Sequence, residues 1–179
     1  PGLIWCSVAR IALLSGMPSG LTTVRQVGSA DEGRIMKVAV IGSTGYVGGR
    51  LVPELLAAGH EVRCVARTPE RLAGVTWRSK VEVVAADVLD PDSLDAALSG
   101  IESVYYLVHA MGHAGDFERT DRIGAENTRT AAEKASVSRI VYLGGLGEDD
   151  PNRLSSHLAS RHEVGHILAS GAVPVTELR

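Results

Sequence analysis

Residues 38–51 read VAVIGSTGYVGGRL, an apolar run of β-formers that passes directly into three glycines, Gly42, Gly45 and Gly48, spaced three apart. KVAVIG (37–42) has the pattern of a buried strand, and the next stretch, 46–60, carries Val47, Leu51 and Leu55 at near-helical spacing with Gly59 as its stop. EVRCVAR (61–67) then reads as a second strand. Between a strand and a helix, each glycine has a separate use. Gly42 permits a tight turn, Gly45 lets the backbone approach a pyrophosphate, and Gly48 lets the helix pack closely on the strand. The helix N-terminus adds free N–H groups and the positive end of its dipole. The stretch therefore predicts a dinucleotide cradle, in which Ser43 and Thr44 either donate hydroxyl hydrogen bonds to the ligand or stabilise the turn. A glycine turn without a ligand is the alternative, and the strand before and helix after argue against it.

Outward from the cradle the alternation continues. VEVVAADV (81–88) is a third strand, SVYYLVHA (103–110) a fourth, RIVYLGG (139–145) a fifth, and VPVTELR (173–179) opens a sixth. Between them lie a helix after Asp90, with Asp90 as N-cap, Pro91 at its first position and Gly100 as its stop, a polar Ala-rich helix over about 117–135, and a third over about 154–170. Strands alternating with helices predict an α/β fold, a doubly wound parallel sheet of the Rossmann type in three α/β/α layers. The 179 residues, 45% hydrophobic, suffice for one core. Residues 1–35 read differently, as a poorly specified N-terminal extension. Its apolar run is broken by Arg10 and too short to span a bilayer, and no basic segment precedes it. The domain is expected over 36–179, from Met36 onward. A net charge of -3 argues against a nucleic-acid or membrane-surface partner. The widely spaced Cys6 and Cys64 provide no disulfide framework, which fits a cytoplasmic protein.

GSTGYVG (42–48), followed by AADVLDPDSL and RIVYLGG, resembles the opening signature of the atypical and extended short-chain dehydrogenases/reductases, the NmrA-like and epimerase-like NAD(P)-binding proteins. The resemblance runs over residues 36–179. It implies that Gly42, Ser43, Thr44, Gly45, Tyr46, Val47 and Gly48 line the dinucleotide. It also places Asp87 and Val88 beside the adenine, Asp87 being equally able to cap a loop, and Val108 and His109 beside the ribose and nicotinamide. His109 can alternatively be a half-buried structural histidine. At the end of the second strand, where an NAD-selecting protein places an acid for the ribose hydroxyls, this chain has Ala66 and Arg67. A guanidinium there suits a 2'-phosphate, so NADP is favoured over NAD, with Arg63 or Arg71 as helpers; a solvated surface arginine is the plainer reading of Arg67.

Catalysis departs from the resemblance. Carbonyl-reducing members use a Tyr-x-x-x-Lys pair on the helix after the fifth strand, and a hydroxyl at that strand's end. Here His157 stands at the Tyr position, Arg161 at the Lys position, and the strand ends in Gly144 and Gly145. His157 is able to exchange a proton near neutral pH, so the pair is the candidate catalytic set of an oxidoreductase or epimerase-like protein. The alternative is a cofactor-binding regulator or assembly factor without turnover. The same helix holds His162-Glu163-Val164-Gly165-His166, which matches the HExxH zinc-peptidase pattern. The Gly and His positions of the extended pattern hold Ala169 and Ala172, and only Glu177 follows as a possible third ligand, so a chance match is the better account and no metal is expected. Similar proteins continue past the sixth strand, so the domain is expected to be truncated, its substrate undefined and its exposed edge open to self-association.

Overall fold

The computed structural model describes residues 34–109, 116–145 and 155–178. Among them, in chain order, are β1 (Lys37–Ile41), α1 (Tyr46–Ala57), β2 (Glu61–Ala66), β3 (Glu82–Ala85), α2 (Pro91–Leu98) and β4 (Ser103–Tyr106), followed by α3 (Asp116–Lys134), β5 (Arg139–Leu143), α4 (Ser156–Ala169) and β6 (Val175–Leu178). All neighbouring strands run parallel, in the order β3-β2-β1-β4-β5-β6. The order reverses at β1. Right-handed crossovers moving outward from β1 in opposite directions place their connections on opposite faces, which makes the fold doubly wound.

The burial pattern follows from this. On one face Leu51, Val52 and Leu55 of α1 pack with Val38, Val40, Cys64, Trp77 and Tyr105; on the other, α2, α3 and α4 cover Ala39, Ile41, Val104, Tyr106 and Ile140. The central strands, buried on both faces, are accordingly near-continuous apolar runs. Between β2 and β3 the chain makes two short 3-10 turns, Pro69–Leu72 and Arg78–Lys80, and buries Leu72 and Trp77 against the sheet.

Local signals set the element ends where the chemistry is strong. Asp90 accepts hydrogen bonds from the Asp92 and Ser93 N–H groups at 3.2 and 3.4 Å, capping α2 with Pro91 at its first position. Strand ends were overdrawn: β4 stops at Tyr106 and β3 at Ala85, after which the Asp87 carboxylate accepts from the Leu89 N–H at 3.0 Å and turns the chain. Arg63 is a correction. Its side chain is buried and donates to the carbonyls of Ala97 and Ser99 at 2.8 and 2.9 Å while pairing with Glu82 at 2.9 Å, so it closes the C-terminal end of α2 and has no part at the cofactor's ribose. Of the predicted extension, residues 1–33 lie outside the described residues, as do the predicted strand end at Ala110 and the start of α4's expected range. No helix among the described residues is long and apolar enough to cross a membrane.

Candidate functional site at the carboxyl ends of the strands

In an open parallel sheet the ligand crevice lies where the strand order reverses, here outside the ends of β1 and β4. Gly42 follows β1 with φ +95°, a left-handed conformation that an L side chain rarely adopts, and a methyl group on it would lie 3.2 Å from the Leu107 backbone after β4. The turn closes through the Gly45 N–H, which donates to the Gly42 carbonyl at 3.0 Å. At Gly48 a methyl group would overlap the Gly42 carbonyl oxygen and sit 2.7 Å from Ser43 Cα, so glycine alone lets α1 come this close to the turn. Gly45, the N-cap of α1, has no side chain to cover the first-turn N–H groups. A tight turn, a bare helix N-terminus and a close helix approach fit a pyrophosphate.

The other predicted cofactor residues spread from this turn. Ser43 is 1% exposed; its hydroxyl meets the Val65 carbonyl at 3.5 Å and the Cys64 thiol, whose pKa burial pushes up to about 11. Of its two expected roles, stabilising the turn is the one the geometry matches. Thr44 and Val47 are half-buried. Tyr46 is 73% exposed, with the Arg50 guanidinium 4.6 Å above its ring. Arg67, directly after β2, and Arg71 are both exposed. The Val88 carbonyl accepts from the Asn127 side chain at 2.9 Å, and Val88 and Val108 are partly buried against the core. Asp87 spends one carboxylate oxygen on its own turn.

Beyond β4 the structure assembles a polar cluster from three segments, the chain after β4, α3 and α4. Asp121 on α3 is 4% exposed; its Oδ2 lies 2.7 Å from His109 Nδ1 and accepts from the Ser160 hydroxyl of α4 at 2.9 Å. His109 Nε2 lies 3.3 Å from Nδ1 of His157, on the first turn of α4. The exposed His157 ring is stacked on Phe117, with centroids 4.5 Å apart and planes 17° from parallel. Burial holds His109 below the ordinary 6.5, helped by Arg161 and His157 and opposed by Asp121. Sequence reasoning named His109 and His157 separately and missed Asp121 and Ser160. In a polar helix reading DFERTDRIGAENTRT, nothing marks Asp121 as an acid that will be buried.

Arg161, one helical turn from His157, turns away from it. Its Nη2 donates to the carbonyls of Leu143 and Gly144 at 2.5 and 3.0 Å, and the Arg161 carbonyl accepts from the Tyr142 hydroxyl at 2.9 Å. Along the HExxH segment, His162 is buried, His166 is exposed, and Glu163 pairs with Arg122 at 2.8 Å. Those side chains do not converge. Among the described residues no group of three His, Cys, Asp or Glu is arranged to hold a metal ion.

Comparison with known proteins agrees with the cradle. Residues 42–173 match the family model described as NAD(P)H-binding. The 3 beta-hydroxysteroid dehydrogenase/Delta 5→4-isomerase of Mycobacterium tuberculosis is 32% identical over 130 residues, covering 66% of this chain and 34% of that protein, so the chain spans about a third of that relative's length. Among solved structures, triphenylmethane reductase of Citrobacter sp., complexed with NADP(H), superimposes with TM-score 0.67 at 22% identity over 80% of this chain and 48% of that one. The enzyme WbmG of Bordetella bronchiseptica, in complex with NAD, gives TM-score 0.69 at 23% identity over 84% and 55%. At these identities the two structures speak to the fold alone. With most of its length inside the family match and the glycine turn at the strand-order reversal, the chain belongs to the NAD(P)H-binding family and carries a nicotinamide-dinucleotide-binding Rossmann domain of the short-chain dehydrogenase/reductase type.

Proposed function

We propose that the chain is the dinucleotide-binding part of an NADP-preferring oxidoreductase that interconverts a carbonyl and an alcohol, with His157 exchanging the substrate proton. The observation that carries this reading is the meeting, at the ends of β1 and β4, of an uncovered helix N-terminus with a line of side chains leading from His109 to the exposed His157. The first-turn N–H groups of Tyr46, Val47 and Gly48 hold the pyrophosphate. Arg67 takes the 2'-phosphate, and neither Ala66 nor Arg67 supplies an acceptor for an unphosphorylated ribose. Asp87 and Val88 border the adenine, and Val108 the ribose. When bound, the nicotinamide supplies or accepts a hydride.

Arg161 in this reading pins the end of β5 through the Leu143 and Gly144 carbonyls and so fixes the wall beside His157. That same commitment of its guanidinium favours the second reading, a cofactor-binding regulator without turnover. Two experiments separate them. In calorimetric titration, Arg67→Ala should weaken NADPH binding about tenfold, as expected for one charge-assisted pair, and leave NADH binding unchanged; equal loss for both would sink the NADP preference. NADPH oxidation with a panel of aldehydes and ketones, abolished in His157→Ala, supports the enzyme, whereas a folded chain that binds NADPH and turns over nothing supports the regulator.

A further inference from the structure

We propose that Asp121 and His109 form a carboxylate-imidazole relay that fixes the tautomer of His157, making His157 Nε2 the atom that exchanges a proton with a carbonyl oxygen. The inference deepens the oxidoreductase reading and rests on it.

The proton positions follow from the contacts. Asp121 is buried, so its carboxylate requires donors, and the Ser160 hydroxyl at 2.9 Å and His109 Nδ1 at 2.7 Å are among them. His109 therefore carries its proton on Nδ1. Its ring, 20% exposed and held neutral by burial, presents a lone pair at Nε2. Facing that lone pair at 3.3 Å is His157 Nδ1, which must be the donor. With Nδ1–H committed, the acceptor of neutral His157 is Nε2, on a ring exposed to solvent. Phe117 covers one ring face and restricts rotation about the side chain. A buried carboxylate is thus wired through one imidazole to an exposed one.

The wiring has a chemical consequence. When His157 is protonated at Nε2, its Nδ1–H still faces His109, with the Asp121 carboxylate behind that ring. Among the described residues, the ionisable groups that act on His109 are Asp121 on α3 and His157 and Arg161 on α4, with Arg161 opposing the carboxylate. In the reducing direction the carbonyl carbon receives a hydride with its electron pair from a reduced nicotinamide. The C=O π pair moves to oxygen, and that oxygen takes the Nε2 proton. His157 returns to the neutral Nδ1–H form and is reprotonated at Nε2 from solvent. His109 and Asp121 touch no substrate in this scheme; they are positioning residues. A tie that merely fastened α3 to α4 would need Ser160 and Asp121 alone, and would leave no reason for the contact from His109 out to His157.

The test is a long-range 1H–15N NMR titration of the histidine rings in the full chain, with NADPH affinity measured on the same samples. Wild type should show neutral His157 as the Nδ1–H tautomer. Asp121→Asn keeps the size but offers a donor as well as an acceptor to His109, and should weaken the Nδ1–H preference of His157. His109→Leu, a second variant that spares Asp121 and Ser160, should release the tautomer preference. A His157 tautomer unchanged in both folded variants that still bind NADPH would overturn the relay and leave the dinucleotide reading standing. Failure of the folded wild-type chain to bind NADPH or NADH would instead overturn the oxidoreductase reading on which the relay rests.

Discussion

Gly48 and Gly49 are neighbours in the first turn of the same helix, and the structure assigns them opposite consequences on substitution. A methyl group at Gly48 would overlap the Gly42 carbonyl oxygen, lie 2.7 Å from Ser43 Cα and 3.0 Å from the Gly42 carbonyl carbon. All three are backbone atoms of the turn, so α1 and the turn must part by several tenths of an ångström. Overpacking of this kind costs about 2–3 kcal/mol, which for a domain of this size lowers Tm by about 5–10 °C. The shift also moves the Gly42–Ser43 backbone, so dinucleotide affinity should fall with stability. At Gly49 the nearest atom to such a methyl is the Ser43 carbonyl oxygen at 3.9 Å, ordinary contact. There the helix propensity of alanine prevails, and Gly49→Ala should stabilise by about 0.5–1 kcal/mol. Urea and thermal unfolding of the two variants, with NADPH titration of each, check the pair. Gly48→Ala as stable as Gly49→Ala, or binding NADPH as tightly as wild type, would refute the close-approach argument.

Three other outcomes follow from single contacts. Arg63→Met should destabilise the chain by about 2–4 kcal/mol in urea unfolding, because the Ala97 and Ser99 carbonyls and Glu82 lose their donor, while NADPH affinity stays unchanged. Acidification should cost stability through His60, which burial holds below the ordinary 6.5 and which in its neutral form accepts the Met36 N–H at 3.4 Å. The folded value is the lower one, so the unfolded chain takes the proton first; stability is full above about pH 6.5, falls as pH drops through it, and levels off below the folded value. His109 contributes with the same sign, so His60→Gln should reduce that slope rather than abolish it, as read from urea midpoints across pH 5 to 7.5. Gly124→Ala should destabilise, since its methyl would lie 2.9 Å from Val88 Cγ2 and 3.1 Å from the Tyr106 hydroxyl; the cost should be smaller than at Gly48, because both neighbours are side-chain atoms that can yield.

The strands and helices were legible because periodicity and punctuation agree in this chain. Apolar runs of strand length alternate with helices, and Asp90 followed by Pro91 is a start signal whose mechanism the structure reproduces. The connection between β2 and β3 was not legible. Its residues, TPERLAGVTWRSK, have neither period, and what orders them is the burial of Leu72 and Trp77 against the sheet, a tertiary effect. The glycine turn could be read because each glycine has a steric reason that leaves a mark in the sequence. The polar cluster could not: Asp121, Ser160 and His109 are 39 and 12 residues apart along the chain, and only the packing of α3 against α4 at the end of β4 brings them together. Arg63 was misplaced for the related reason that strand alternation says which face a side chain takes but not what a long arginine reaches across that face to bond.

The central claim is that the turn after β1 holds the pyrophosphate of a nicotinamide dinucleotide, and the most direct measurement is calorimetric titration of the folded chain and of Gly45→Asp with NADPH. Gly45 caps α1, so the substitution sets a carboxylate where the phosphates are to lie. As an N-cap, aspartate should leave the helix at least as stable as before. The account predicts saturable binding to the wild-type chain and its loss in Gly45→Asp, with the thermal midpoint maintained. Undiminished NADPH binding by Gly45→Asp would contradict it, as would a folded wild-type chain that binds neither NADPH nor NADH.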